Sequence, residues 1–454
     1  MHSRIYALIL LVLISFSSAW LPGTDKTLVA ADGTDLFSSS SPASNSSKQA
    51  SRRWLKTSEK IRGVNLGSLF VFEPWLASSV WESMGCGNTK SELDCVTALG
   101  QTKANSAFQA HWAAWITQND ITTMKSYGLN TIRIPVGFWM DESLVNTETE
   151  NFPQGGFEYL AQVCQWASDA GLYIVIDLHG APGAQVADNP DTGQYVQTSG
   201  FYTADQYDRA VSFMSWLTTQ IHSNTSFRNV GMLEIVNEPL QYSSKTATMI
   251  SSYYPDAYTA IRAAESTLAI PKKDLLHVEM MNSLWGAGNP HQDLKKTRFM
   301  AYDEHRYLKY ITSIPVSQSS YLSASCNAKP NSDHETPTVV GEFSLSPPDN
   351  VSSTSDWDTS TTDNIAFYKN WFAAQATTFE KHTNGWIFWT WKSQLNDYRW
   401  SYSEAVTAGV IPTDLDDIYT YGSCDAYSVG VMSSSLSNRM WFVIILAIVL
   451  IVIL

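Results

Sequence analysis

Eight short apolar runs punctuate the chain, at residues 62–68, 131–138, 173–180, 231–239, 275–282, 298–305, 336–343 and 385–392. Most read as continuous hydrophobic stretches rather than alternating ones. That is the pattern of strands buried on both faces of a parallel sheet. Several are bounded by Gly or Pro, which punctuate local structure. Helical periodicity fills the intervals. In 157–170 the apolar residues Leu160, Val163, Cys164 and Ala167 fall on one stripe, and 203–222 and 364–381 repeat that character. Thr203 with Gln206 reads as a capping box, whereas Asp363 has only Ala366 three residues on and lacks its partner. Eight strands alternating with helices over more than 300 residues predict an α/β protein, a (β/α)8 barrel in one domain. An open doubly wound sheet is the alternative, but no GxGxxG follows any of the strands.

The pattern changes at both ends. Residues 1–19 combine a basic start, an apolar run from Ile5 to Phe16 and small residues at 17–19, the form of a secretory signal peptide. A membrane anchor is the alternative, for which the run is short. Residues 20–53 read as a linker or pro-segment, Ser-rich from Gly33 onward. The folded body is expected over 54–427. Beyond it, 428–454 pass from small residues through Asn438 and Arg439 into an almost pure Ile, Leu and Val tail. That order fits a glycolipid-anchor signal, with a retained tail anchor as the alternative. The protein is therefore expected at the cell surface or in the wall, touching membrane only through its C-terminus.

Composition narrows the chemistry. The 454 residues carry 29 Lys plus Arg against 43 Asp plus Glu, a net charge of −14, which argues against a nucleic-acid partner. With 44% hydrophobic and 16% charged residues, global disorder is excluded. Seventeen Trp exceed what packing asks for. The flat indole ring matches the C–H face of a pyranose, so a sugar-binding cleft is one use for the surplus. The five cysteines suit a secreted chain. Cys86 and Cys95 are close enough to close a small loop, Cys326 and Cys424 are candidates to tie a late loop to the end of the domain, and Cys164 reads as a buried thiol. Sequons stand at Asn45, Asn224 and Asn350. No CxxC or His-rich metal spacing occurs, and neither a metal nor a cofactor is expected.

In a (β/α)8 barrel the C-terminal strand ends face the active site. Those ends bear Arg133, His179, Asn237, Glu238, His305, Tyr307, Glu342 and Trp391, with Glu73 in the loop after the first strand. Two carboxylates on one rim suit glycoside hydrolysis, in which one protonates the leaving oxygen and the other attacks the anomeric carbon or activates water. Glu238 and Glu342 are the candidates. Arg133 and a tyrosine hydroxyl are expected to hold Glu342 as an anion, and that charge together with burial to keep Glu238 protonated. The reaction needs no metal, because carboxylates supply both functions.

Arg62-Gly-Val-Asn65, Phe72-Glu73-Pro74-Trp75, Arg133-Ile-Pro-Val, Leu178-His179-Gly, Asn237-Glu238-Pro239, Gly341-Glu342-Phe343 and Gly385-Trp386-Ile-Phe-Trp389-Thr-Trp391-Lys392 resemble glycoside hydrolase family 5. The resemblance is nearest to its fungal exo-1,3-β-glucanase branch and runs in order from about Ile61 to Cys424. It implies a retaining enzyme with Glu238 as acid/base and Glu342 as nucleophile. It further implies that Asn237 bonds the sugar 2-hydroxyl, that Arg133 and Tyr307 position Glu342, and that His179 and His305 line the same subsite. Glu73 would hold hydroxyls of the terminal glucose, Trp391 would be the platform beneath it, and the family's late disulfide fits Cys326 with Cys424. Two departures stand at the cleft: Gly67-Ser68-Leu69 for the family's Gly-Gly-Trp, and Ala184-Gln185-Val186-Ala187-Asp188 for its Ser-Gln-Asn-Gly. The expected activity is release of glucose from 1,3-β-glucan by a monomeric enzyme, with glucosyl transfer as a side reaction. The alternatives are another linkage (1,6-β-glucan, cellulose, a glucosyl-lipid) and a non-catalytic glucan-binding wall protein, against which the intact carboxylate pair speaks.

Overall fold

The structure is a computed structural model that describes residues 59–294 and 298–427. Eight parallel strands close into a barrel in sequence order. They are β1 (Ile61–Asn65), β2 (Thr131–Gly137), β3 (Tyr173–Gly180), β4 (Val230–Glu234), β5 (His277–Met281), β6 (Met300–His305), β7 (Thr338–Glu342) and β8 (Gly385–Phe388). Closure comes where β8 pairs with β1, Gly385 opposite Ile61. Each expected apolar run overlaps one strand, so the predicted fold is the observed one. The runs overshoot at their C-terminal ends: β4 stops at Glu234 and β8 at Phe388, and the catalytic-type residues beyond them lie in turns.

The barrel interior is layered. Ile61, Tyr173, Val175, Met232, Ala301, Val339 and Ile387 form a small apolar cluster of their own inside the ring. Above it the interior turns polar, with Arg133, Asp177, Glu234, Glu279 and Asp303 all essentially without solvent exposure. The larger core lies between the outer faces of the strands and the helices. The helices include Gln101–Trp115, Gln118–Ser126, Gly156–Asp169, Ala204–Ser223, Tyr254–Thr267 and Thr362–His382.

Two helix starts differ from expectation. Thr203 is the N-cap of Ala204–Ser223 but makes no side-chain cap, and the Gln206 side chain accepts from Arg209. Helix Thr362–His382 is capped by Thr361, which accepts from the Asn364 N–H. A complete capping box stands elsewhere, between Thr117 and Asp120. Both candidate disulfides, Cys86–Cys95 and Cys326–Cys424, are present, and Cys164 is a buried free thiol. Asn350 is exposed in a loop, whereas Asn224 is half-buried and caps a short turn at Ser226. Among the described residues no helix is long and apolar enough to cross a membrane. The expected signal peptide, linker, C-terminal anchor and the Asn45 sequon lie outside the described residues.

Candidate active site

Arg133 is the centre of the construction. It rises from β2 with no solvent exposure and its five N–H donors are fanned across the barrel mouth. Nη1 donates to Asn65 Oδ1 at 2.9 Å and to Glu342 Oε1 at 3.0 Å. Nη2 donates to Glu234 Oε2 at 2.6 Å and to Asn237 Oδ1 at 2.8 Å. Asp177 lies 3.1 Å from the guanidinium and Asp303 3.7 Å. One side chain thus connects β2 to β1, β3, β4, β6 and β7. A glycine on β7 makes room for this layer: a Cβ on Gly341 would come within 2.2 Å of Asp303 Oδ2, and the Gly341 N–H donates to the same carboxylate at 2.8 Å.

Replacing Arg133 by methionine is expected to cost about 3–5 kcal/mol of stability, because it leaves Glu234, Asp177, Asp303 and Glu342 buried without their cation. Lysine should not restore it, since a single ammonium cannot reproduce the fork. Chemical denaturation of the purified variants checks both. A loss below 1 kcal/mol would mean that the barrel does not depend on this charge.

Glu342, at the end of β7, is 5% exposed. Its Oε1 accepts from Arg133 and its Oε2 from the Tyr307 hydroxyl at 2.7 Å. Burial pushes its carboxyl above the ordinary value, while His305 and Arg133 pull it down. Glu238 follows β4 in the left-handed region, at φ 39°. Its Oε1 meets His305 Nδ1 at 2.6 Å, and His305 Nε2 meets Asp303 Oδ2 at 3.1 Å. Burial alone would push the His305 imidazole down, but Glu342, Asp303 and Glu238 around it drive it well above its ordinary value. Both ring nitrogens thus face carboxylate oxygens. A carboxylate oxygen of Glu238 and one of Glu342 lie within 4.8 Å of each other. Burial falls on Glu342 and not on Glu238, whose side chain is 29% exposed; the expectation that burial would act on Glu238 is corrected by its place in a turn past the strand.

His179, from β3, meets Asp177 Oδ2 through Nδ1 at 2.9 Å and stacks on Trp389 with centroids 5.7 Å apart. Asn237 Oδ1 accepts from Arg133, and its Nδ2 stands 3.5 Å from His179 Nε2. Glu73 is buried at the cleft, fixed by Ser68 Oγ, which bonds both its backbone N–H and its C=O at 3.1 Å. So Ser68, one of the departures, seats this glutamate. Burial and then the neighbouring Asp191 and Glu342 charges push the Glu73 carboxyl well up. The second departure is also structural: Gln185 Nε2 donates to the His179 and Asn237 carbonyls at 2.7 and 3.0 Å, clamping the ends of β3 and β4 together.

Trp391 is not brought into the site. Its ring is 2% exposed and its indole N–H donates to Asp120 Oδ1 at 2.8 Å, on the helix capped by Thr117. Trp389, two residues earlier, does line the cavity, as do Trp75, Trp285 and Trp400. Strand-end reasoning also missed Asp191, in the loop after β3, whose carboxyl is pushed up to about 7 mainly by burial. Asp303 and Glu234 were missed as well, although they hold His305 and Arg133.

These groups open into a cavity of about 860 Å³. Glu73, Trp75, Asp191, Trp389 and Trp400 line it on the β1, β3 and β8 side; Tyr242, Leu284 and Trp285 line it on the β4 and β5 side. Two sets of three side chains have ligand-type atoms within 4.8 Å, Glu238–His305–Glu342 and Glu234–Glu279–Asp303. In the first, both Glu342 oxygens already accept hydrogen bonds; in the second, Arg133 supplies positive charge to Glu234 and Asp303.

Comparison with known proteins agrees with this geometry. Residues 96–395 match the family described as Cellulase (glycosyl hydrolase family 5). The chain is 57% identical over 406 residues to glucan endo-1,6-beta-glucosidase B of Emericella nidulans, covering 89% of this chain and 96% of that protein. It is only 26% identical to the glucan 1,3-beta-glucosidase of Blumeria graminis, over 81% of this chain and 90% of that one. The expected nearness to the exo-1,3-β-glucanase branch is thereby corrected. Among solved structures, the rutinosidase from Aspergillus niger superposes with a TM-score of 0.60 at 19% identity, over 77% of this chain and 97% of that one, a likeness of fold. The match over 300 residues and the identity over nearly the whole of a curated relative make this chain a member of glycosyl hydrolase family 5.

Proposed function

We propose that the protein is a retaining endo-acting glucanase that cleaves 1,6-β-glucan. The observation that carries the chemistry is the Glu238–Glu342 approach within 4.8 Å, which suits direct attack and leaves little room for an intervening water. Glu342, oriented by Arg133 and Tyr307, attacks the anomeric carbon. Glu238 gives its proton to the leaving oxygen. In the second half Glu238 takes a proton from water, which displaces Glu342 and frees the sugar with its β configuration. His305 lies against both carboxylates, where its ring steadies whichever of them is ionised. Asn237 Nδ2 is the donor for the 2-hydroxyl, Glu73 and Asp191 accept from sugar hydroxyls, and Trp389 takes the platform role that the family resemblance implied for Trp391.

The linkage rests on the 57% identity to a protein named for endo action on 1,6-bonds. A cavity bordered by exposed side chains on both sides, Trp75 on one and Tyr242 on the other, supports internal cleavage. Incubation with a linear 1,6-β-glucan should give gentio-oligosaccharides of several lengths at early times. Laminarin should be at least tenfold poorer. Glucose as the sole product from laminarin, with the 1,6-glucan intact, would restore the exo-1,3 reading. Secretion and glycolipid anchoring at the cell surface belong to the same proposal, with the polymer outside the cell as substrate.

A further inference from the structure

On the β4 and β5 side of the cavity stands a wall that none of the steps above uses. Tyr242, four residues after Glu238, is 87% exposed, and Leu284, in the turn after β5, is 48% exposed. Both line the cavity together with Trp285. The two turns are joined to each other. The Tyr242 N–H donates to the Gly286 carbonyl at 2.8 Å, and the Trp285 indole N–H donates to the Pro239 carbonyl at 2.7 Å. The Tyr242 ring lies over Gly286, where a Cβ would come within 2.8 Å of it, and Gly286 has φ 96°. The backbone at 286 thus favours glycine, and a Cβ there would push the Tyr242 ring aside. Trp285 meets His305 edge-on with centroids 5.8 Å apart, and His305 holds Glu238. The wall begins, therefore, next to the carboxyl that protonates the leaving oxygen, across the cavity from Glu73, Asp191 and Trp389.

An exposed Tyr beside an exposed Leu adds nothing to the core, yet backbone bonds and a dedicated glycine hold the ring in place. We propose that Tyr242, Leu284 and Trp285 bind the glucosyl unit on the leaving-group side, and that the same wall seats a second saccharide when a sugar hydroxyl replaces water. This rests on the reading of Glu238 as acid/base. A 1,6-bond places a methylene between the leaving oxygen and its ring, so that ring stands one bond farther from Glu238 than in a 1,3- or 1,4-linked chain. A platform that starts just past Glu238 meets it there. In transfer, Glu238 takes the proton of the incoming primary hydroxyl, the oxygen bonds to the anomeric carbon, and the ester to Glu342 breaks with its electron pair returning to the carboxylate.

The test compares two substrates with the same donor half. Gentiotetraose leaves as a sugar, and p-nitrophenyl β-gentiobioside leaves as an aryl group. Tyr242→Ala and Leu284→Ala should lower kcat/KM for the first about tenfold more than for the second, as expected for loss of a ring–sugar contact. The same variants should shift products from transfer to hydrolysis when gentiobiose is added as acceptor. Trp285→Phe keeps the wall but loses the Pro239 bond, so it should slow both substrates together. Equal losses on the two substrates for Tyr242→Ala, or no loss on either, overturns the proposal. If the unaltered enzyme instead prefers laminaritetraose, the linkage reading has failed, and the same ratio taken on laminari-substrates decides the wall separately.

Discussion

Glu342→Gln is expected to lower kcat by more than about 10⁴-fold on every substrate, aryl glucosides included, while the protein stays folded. The amide has no charge to form the glycosyl ester, and no other carboxylate reaches the same face with Glu342's support. The structure indicates why the fold should survive. The amide oxygen can remain at Arg133, and the NH2 can donate to Tyr307, whose hydroxyl turns to accept. The Glu342 side chain is 6% exposed, so no new surface is created. Activity assays paired with thermal unfolding check this; a variant keeping more than about 1% of turnover would place the nucleophile elsewhere.

Glu238→Ala should separate the two half-reactions. Acid assistance is worth roughly 10²–10⁴-fold, so glucan hydrolysis should fall by that much or more. A dinitrophenyl leaving group needs little protonation, so the first step should survive and the glycosyl-enzyme accumulate. The truncation removes a partly exposed carboxylate at the cavity wall, leaving an opening beside His305 through which a small anion reaches the anomeric carbon. Azide should therefore restore turnover and yield the β-glycosyl azide. An α-azide would mean that Glu238 supports attack from the other face, and normal polysaccharide hydrolysis would remove it from the reaction altogether.

The barrel was legible because its strands are buried on both faces and so read as unbroken apolar runs. Glu238, Glu342, Arg133 and His179 were legible because strand-end residues of a closed barrel face one mouth. Trp391 was misplaced for a physical reason. β8 ends at Phe388, so alternation no longer reports the side on which residue 391 lies. What fixes it is Asp120, 271 positions away, a partner that no local pattern reveals. Asp191 escaped because it lies in the loop after β3 rather than at a strand end. Gln185 was visible only as a departure from a family motif, and its clamp between two strand ends appears once the loop is folded.

Arg133 ties Glu342 to residues from six of the eight strands, its own included. Its full environment therefore exists only in the closed ring; a half holding β1 to β4 would keep Asn65, Asp177 and Glu234 but lose Asp303 and Glu342. Such a hub divides the chain into two evolutionary regimes. Within the ring a single change disturbs many partners at once, and repair demands several simultaneous substitutions. On the rim, Tyr242, Leu284 and the loop of Asp191 can drift one residue at a time. Descendants of this scaffold would be expected to diversify in the sugars they accept while inheriting the same bond-breaking chemistry.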